Sequence, residues 1–391
     1  MRGVLVKERR EIFNALGLRG SSDRKRFITA VAVLVGTCIG AGVLGIPYVA
    51  AQTGFFITLI YIFAIGGVVL LVNLYLGEIA LRTEAKHQLP GYAERYIGKW
   101  GSKLMEFATV FGIYSAIVAY MLGVGESFSF LFFGNGSYTT LIGVLFGVGM
   151  SGIIWRGIKA LKRFEKIGVL IVLVLLAVIF FVFVDNVTWS NLYSSNISKL
   201  FLPFGVVLFA LLSFHAIPEV EIVLHKREKF MKSVIITSIL ISIVFYILFT
   251  LVVVGFKGVE TPEVATLVLG PVFIFLGILT MFTSYLAIGN ALQENFILDE
   301  RYKKKKAWFL TTIIPIIIFL IIQLGNLFSF TMILSIGGVV AGGITGILIL
   351  LMVKEAKKHG DRKPEYKMPS SWILITILCS IFIIGILLEL F

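Results

Sequence analysis

Eleven long apolar runs divide this chain, at approximately 27–52, 55–77, 104–133, 138–155, 164–184, 200–221, 232–254, 270–296, 308–323, 327–353 and 373–390. Most reach the roughly 20 residues that a helix needs to cross about 30 Å of hydrocarbon, while the fourth and ninth are short. The runs are continuous, without the alternation of about ten-residue barrel strands. Only 15% of the residues are charged and 58% are hydrophobic. A water-soluble domain has too much exterior to cover with so few charges, so the solvent is lipid. The expected product is an all-α integral membrane protein with 11 transmembrane helices, multi-pass in the cell membrane.

The net charge of +13 suggests a nucleic-acid binder until the basic residues are placed against the runs. Of the 35 Lys and Arg residues, all but Lys199 and Lys257 fall in the N-terminal tail or in the loops after the second, fourth, sixth, eighth and tenth runs, counting Lys166 and Lys232 at the starts of the adjoining runs. That asymmetry predicts a cytoplasmic N-terminus and an extracellular C-terminus. The run Lys303–Lys306 reads as a topology anchor compatible with anionic lipid, and no nucleic-acid partner is expected. No cleaved secretory peptide is expected, because the residues before the first run are basic and contain no apolar stretch.

Two cysteines, Cys38 and Cys379, lie inside separate apolar runs and form no disulfide framework. The four histidines lack metal-ligand spacing, and no HExxH, GxSxG or phosphate-loop pattern occurs. An enzyme is therefore not expected, nor a cofactor, and the short basic loops leave no room for an ATPase domain.

The first run reads FITAVAVLVGTCIGAGVLGIPYVAAQTG and carries three glycines between Gly36 and Gly42. Gly40 lies roughly 20 Å of helix rise from the inner edge, near the midplane. Glycines there permit an unwound turn whose bare N–H and C=O groups bind a charged ligand, the alternative being close helix packing on small residues. The sixth run, LFALLSFHAIPEVEIVL, carries Pro218, which is expected to distort the turn before it and free carbonyls near Ser213 and Phe214. Two broken helices five spans apart predict an inverted repeat with its site between the halves. The division is a tail over 1–26, a first repeat over 27–184, a linker and second repeat over 185–353, a loop over 354–372 and an accessory helix over 373–391. Half-helix N-termini suit a carboxylate and freed carbonyls suit an ammonium group, so a zwitterion matches both.

Other polar residues lie at depth. His215 is either a structural bridge or a gating or proton-linked group, and Glu126 lies nearer the outer edge. Glu219 and Glu221 sit near the inner edge as a gate paired with basic loop residues, or as a solvated helix end. Tyr120 either lays its ring and hydroxyl against a ligand or packs in the core. In the eighth run, Thr280, Thr283 and Ser284 offer hydroxyls that can join the carbonyls of Gly36 and Ile39 around Na⁺, or can bond their own helix. Proton coupling competes through His215 and Glu126.

The stretch VGTCIGAGVLGIPYVAAQTG at 35–54 resembles the first helix of amino acid and auxin permeases and of their hydroxy- and aromatic-amino-acid permease relatives, within the amino acid, polyamine and organocation superfamily. AYMLGVGE at 119–126, SFHAIPEV at 213–220 and FTSYLAIGNAL at 282–292 resemble the third, sixth and eighth helices, in order. The resemblance implies a LeuT-type five-plus-five inverted repeat with an accessory eleventh helix. It implies secondary import of a neutral amino acid, hydrophobic or aromatic, by alternating access and coupled to Na⁺ or H⁺. An uncoupled exchanger is the alternative, and an ion channel a remote one. By the same resemblance the backbone of Gly40, Ala41 and Gly42 receives the substrate carboxylate. Carbonyls near Ser213, Phe214 and Ala216 take the amino group, and Thr283 and Ser284 join Gly36 and Ile39 at a sodium position. The fifth run lacks the central lysine that occupies the cation position in proton-coupled members, which argues against that route.

Overall fold

The computed structural model describes residues 22–85, 87–156, 174, 178–298 and 301–390. The tail over 1–21 and most of the fifth predicted run, with its missing lysine, lie outside the described residues. Within them the main helices are α1 (Asp23–Cys38), α2 (Gly42–Thr53), α3 (Phe55–Arg82), α4 (Leu89–Ile97), α5 (Lys99–Phe133), α6 (Thr139–Arg156), α7 (Pro203–Leu211), α8 (Ile217–Val223), α9 (Met231–Lys257) and α10 (Pro271–Leu298). Three more follow: α11 (Lys304–Leu324), α12 (Phe330–His359) and α13 (Trp372–Leu390). π-helical turns at Phe309–Ile313 and Gly338–Gly342 interrupt α11 and α12.

Among the described residues, nine helices are long and apolar enough to cross a membrane, or ten if the bent pair α1–α2 counts as one span. The expected eleven are therefore not reached within them. α7 and α8 together form one of these spans, Pro203–Val223, in place of the predicted 200–221.

Local chemistry sets the ends. Ser22 caps α1 by accepting a hydrogen bond from the Lys25 amide at 3.3 Å, and Ser329 caps α12 through the Met332 amide at 3.4 Å. Gly54 turns the chain between α2 and α3 at φ 126°, a conformation open to glycine but not to side chains with a Cβ. The loop after the second run is not plain coil. It folds into α4, whose Leu89, Tyr92, Ala93 and Tyr96 recur at helical spacing and are all buried.

Packing sorts the helices into two groups. The broken pairs α1–α2 and α7–α8 pack with α3 and α9, while α5 packs with α6, α10, α11 and α12. The site lies where the first group meets α5 and α10. At the Lys- and Arg-rich end, the loop before α13 is fastened to α3. Glu78, 2% exposed, pairs with Arg82 at 2.8 Å and Lys357 at 3.7 Å. Its second oxygen accepts from the Met368 amide at 2.7 Å. The Tyr366 hydroxyl donates to the Leu74 carbonyl and Tyr75 to the Pro369 carbonyl, both at 2.6 Å. The loop over 354–372 thus braces α3.

Candidate substrate site at two helix breaks

The first break is real and narrower than the sequence suggests. α1 continues helically through Gly36 and Thr37 to Cys38, and the chain then turns by 52° into α2. Ile39, at φ −89° and ψ 78°, is the centre of an inverse γ-turn in which the Gly40 amide donates to the Cys38 carbonyl at 3.1 Å. A continuous helix would have sent that amide to Gly36. Gly36 therefore stays inside the helix, but its carbonyl loses the donor the ladder would supply.

In the sixth span, α7 ends at Leu211, and Leu212 takes an extended ψ of 108°. A 3₁₀ turn, Phe214–Ala216, leads into α8. Pro218 does not cause this break in the manner expected. It occupies the first turn of α8, where its missing N–H has no helical partner to lose. The carbonyls of Ser213 and Phe214 each accept one short-range bond, from the Ala216 amide at 3.0 Å and from the Ile217 amide. Each keeps one lone pair for an ammonium group.

Three spans converge on the first break. A Cβ placed on Gly40 would stand 2.8 Å from the Tyr120 hydroxyl oxygen and 3.9 Å from Ser284 Oγ. The Tyr120 hydroxyl lies within polar interaction range of Ser284 and the Ala41 backbone. Gly40, Ala41, Tyr120 and Ser284 thus form one polar cluster inside the buried core, with the N-terminal amides of α2 beside it. Gly42 faces elsewhere: a Cβ there would lie 2.5 Å from the Ala210 Cα, so this glycine sets the close approach of the two broken helices. Phe214 and Ala216 are buried beside the second break.

The remaining expected residues do not gather at the cluster. Thr283 Oγ1 donates to the Thr280 carbonyl at 3.0 Å, so it bonds its own helix while Ser284 turns towards Tyr120. The proposed sodium ligands are accordingly divided. The Gly36 carbonyl is released and Thr283 Oγ1 retains lone pairs, whereas Ser284 is engaged with the tyrosine. His215 Nε2 lies 3.4 Å from Thr109 Oγ1, and Thr109 stands eleven positions before Tyr120 on α5, about 16 Å of rise away. Glu126 lies on the other side of Tyr120, six positions further along α5 and within electrostatic range of Glu263. The Glu263 carboxylate in turn accepts from the Thr331 amide at 2.7 Å. Glu219 is half-buried in the first turn of α8. Its neighbour Glu221 is buried and accepts from the hydroxyl of Tyr92, on loop helix α4, at 3.2 Å.

Two residues with no role in the sequence reading support the breaks. Asn73 on α3 donates to Ser213 Oγ at 3.0 Å. Tyr246 on α9 points its hydroxyl at carbonyls of both broken helices. Their signal was a polar group in the middle of an otherwise apolar span, which marks a functional position by default.

An all-helical membrane protein with a polar cluster at two interrupted spans is the arrangement of LeuT-fold transporters. The crystal structure of MhsT in complex with L-phenylalanine, a LeuT-fold transporter, superposes with a TM-score of 0.66. The match covers 94% of this chain and 98% of that one at 16% identity, so it speaks for the fold alone. The model of the tryptophan/tyrosine permease family matches residues 23–389, and the chain belongs to that family, one of permeases and not of enzymes. Tyrosine-specific transport system 1 of Haemophilus influenzae is 26% identical over 229 residues, 57% of this chain and 56% of that protein. Glutamine transporter 2 of Aliivibrio fischeri is 22% identical over 231 residues, 57% of this chain and 59% of that one. The chain therefore spans little more than half the length of these curated relatives in alignment.

Proposed function

We propose that this protein is a secondary active transporter that imports a neutral amino acid, preferentially an aromatic one, by alternating access. The observation that carries this reading is the cluster at the first break, where the Ala41 backbone, the Tyr120 hydroxyl and Ser284 meet beside the N-terminus of α2. Positive partial charge at a helix N-terminus favours a carboxylate, and the lone pairs left on Ser213 and Phe214 suit its ammonium group. Family membership and a relative named for tyrosine transport favour an aromatic side chain, and the apolar surroundings of Phe214 are consistent with one.

In this reading the chain comprises two five-helix repeats, 27–184 and 185–353, followed by the linker and α13. The N-terminus is cytoplasmic, as the basic loops suggest. The coupling ion is Na⁺ or H⁺. A sodium ion would draw on Gly36, Ile39, Thr280, Thr283 and Ser284, and a proton on His215 or Glu126. Uncoupled exchange is the second reading, favoured by Thr283 bonding its own helix and Ser284 facing Tyr120.

The test is counterflow in proteoliposomes with labelled tyrosine, tryptophan, phenylalanine and glutamine, while external sodium and pH are varied separately. Saturable aromatic uptake supports the transporter. Independence from both ions with a requirement for internal substrate selects exchange, and absence of uptake for the whole panel rejects the reading.

A further inference from the structure

Tyr246 lies fifteen positions into α9, and Cys38 lies fifteen positions into α1, about 22 Å of helix rise in each case. The phenol is fully buried, and a buried phenol hydroxyl must find a partner. It finds two, the Cys38 carbonyl and the Ala210 carbonyl, each at 2.7 Å. These are not arbitrary acceptors. In unbroken helices Cys38 would accept from Gly42 and Ala210 from Phe214. The turn at Ile39 and the 3₁₀ turn at Phe214 remove those donors, one at each break. A hydroxyl has a single proton, so the contact is a three-centre bond between two carbonyls that have lost their α-helical donors, Cys38 also accepting the Gly40 amide of the γ-turn.

The surroundings bind the same two breaks less directly. Cys38 Sγ is 4.0 Å from the Leu211 carbonyl, and Gly42 is seated against the Ala210 backbone. Asn73 fixes Ser213 from α3. Among the described residues, the Tyr246 hydroxyl holds a carbonyl from each break with the same atom.

We infer that Tyr246 is a positioning residue for substrate binding and transport: by sharing its hydroxyl proton between Cys38 and Ala210, it locks the two helix breaks into one register so that they move as a unit. It touches no reacting or transported atom. Its effect passes through the backbone of Ile39–Ala41 on one side and Leu212–Phe214 on the other, the segments that carry the amides and carbonyls of the site. The functional part of this inference rests on the transport reading above, while the bridge itself does not.

The experiment compares full-length wild type, Tyr246→Phe and Thr250→Val in proteoliposomes. Thr250 lies one turn further along α9 with a buried hydroxyl that has no hydrogen-bond partner among the described residues, so it controls for removing polarity from the same helix. Hydrogen–deuterium exchange is read on peptides covering 36–44 and 209–217, and the half-saturation constant on tyrosine counterflow. In Tyr246→Phe both peptides should exchange faster by roughly tenfold, the scale of one lost buried hydrogen bond, and half-saturation should rise about five- to tenfold. Thr250→Val should change neither.

Unchanged exchange at both breaks, or faster exchange at one break alone, overturns the bridge. Loss of folded protein with normal half-saturation per folded molecule reduces Tyr246 to a structural part and overturns the positioning role. If the wild type transports nothing while both breaks still loosen together, the bridge stands and the transport reading falls. If Tyr246→Phe does not fold, the wild type alone decides. Two breaks held by one bond should exchange at rates within about threefold of each other, and a gap above about a hundredfold overturns the bridge.

Discussion

Gly40→Ala tests the site with a single added methyl. No positive φ constrains Gly40, so the backbone itself accepts alanine, and the obstacle is the Tyr120 hydroxyl oxygen 2.8 Å from the new Cβ. An ordinary carbon–oxygen contact is roughly 3.3 Å, so the phenol must withdraw by about 0.5 Å. Tyr120 is 5% exposed, and its ring has little room to yield. Overpacking of this kind costs about 1–3 kcal/mol, offset by about 0.4–1 kcal/mol from the reduced freedom of the unfolded chain. Withdrawal also moves the tyrosine hydroxyl away from Ala41 and Ser284. If the substrate needs that arrangement, about 1–2 kcal/mol is lost from binding, or roughly a 5- to 30-fold rise in half-saturation. Counterflow of labelled tyrosine measures it. Gly40→Ala combined with Tyr120→Phe removes the clashing oxygen, so the double variant should be less impaired than the sum of the single ones by about 1 kcal/mol. Half-saturation within about twofold of wild type for Gly40→Ala, or strict additivity in the cycle, would refute the assignment of Gly40 and Tyr120 to one site.

Three further expectations concern the scaffold. Gly42→Ala drives a Cβ to 2.5 Å from the Ala210 Cα, a backbone atom that cannot rotate away. It should cost about 1–3 kcal/mol of stability, read as a lowered thermal midpoint in detergent. Glu78→Gln leaves the Arg82 and Lys357 cations without their buried carboxylate, which should cost about 3 kcal/mol and expose the 361–371 loop to protease. Equal cleavage rates in variant and wild type would contradict the brace. Burial, and then the Arg95 guanidinium, push the His87 pKa below its usual 6.5 against the opposing pull of Glu94 and Asp361. The unfolded chain therefore takes up a proton that the folded one resists. This contribution is complete above pH 6.5 and is lost as pH falls through the lower folded value. His87→Gln should flatten the acid side of the thermal stability profile, and an unaltered slope would exclude His87 as its source.

What the sequence determined by itself follows from composition and periodicity. Apolar run length specified a helical membrane protein, and the Gly36–Gly42 cluster marked a break near the middle of the first span. Both are local properties: a stretch without charges must sit in lipid, and a helix rich in glycine can be interrupted there at low cost. The broken character of the sixth span was also legible, although Pro218 pointed to the right turn for the wrong reason, since it begins α8 instead of deforming α7.

Tertiary structure decided which polar atoms meet. Serine, threonine and tyrosine in a helix can bond their own preceding carbonyl or a neighbouring span, and nothing local distinguishes the two. Thr283 took the first course and Ser284 the second, although they are adjacent in the chain. Glu221 found Tyr92 across 129 positions, and Tyr246 found Cys38 across 208. Such pairings depend on how helices pack side by side, where a rotation of one residue, about 100° around the axis, exchanges lipid for a partner. Sequence periodicity places a residue along the membrane normal far better than it aims its side chain, and a binding site is a matter of aim.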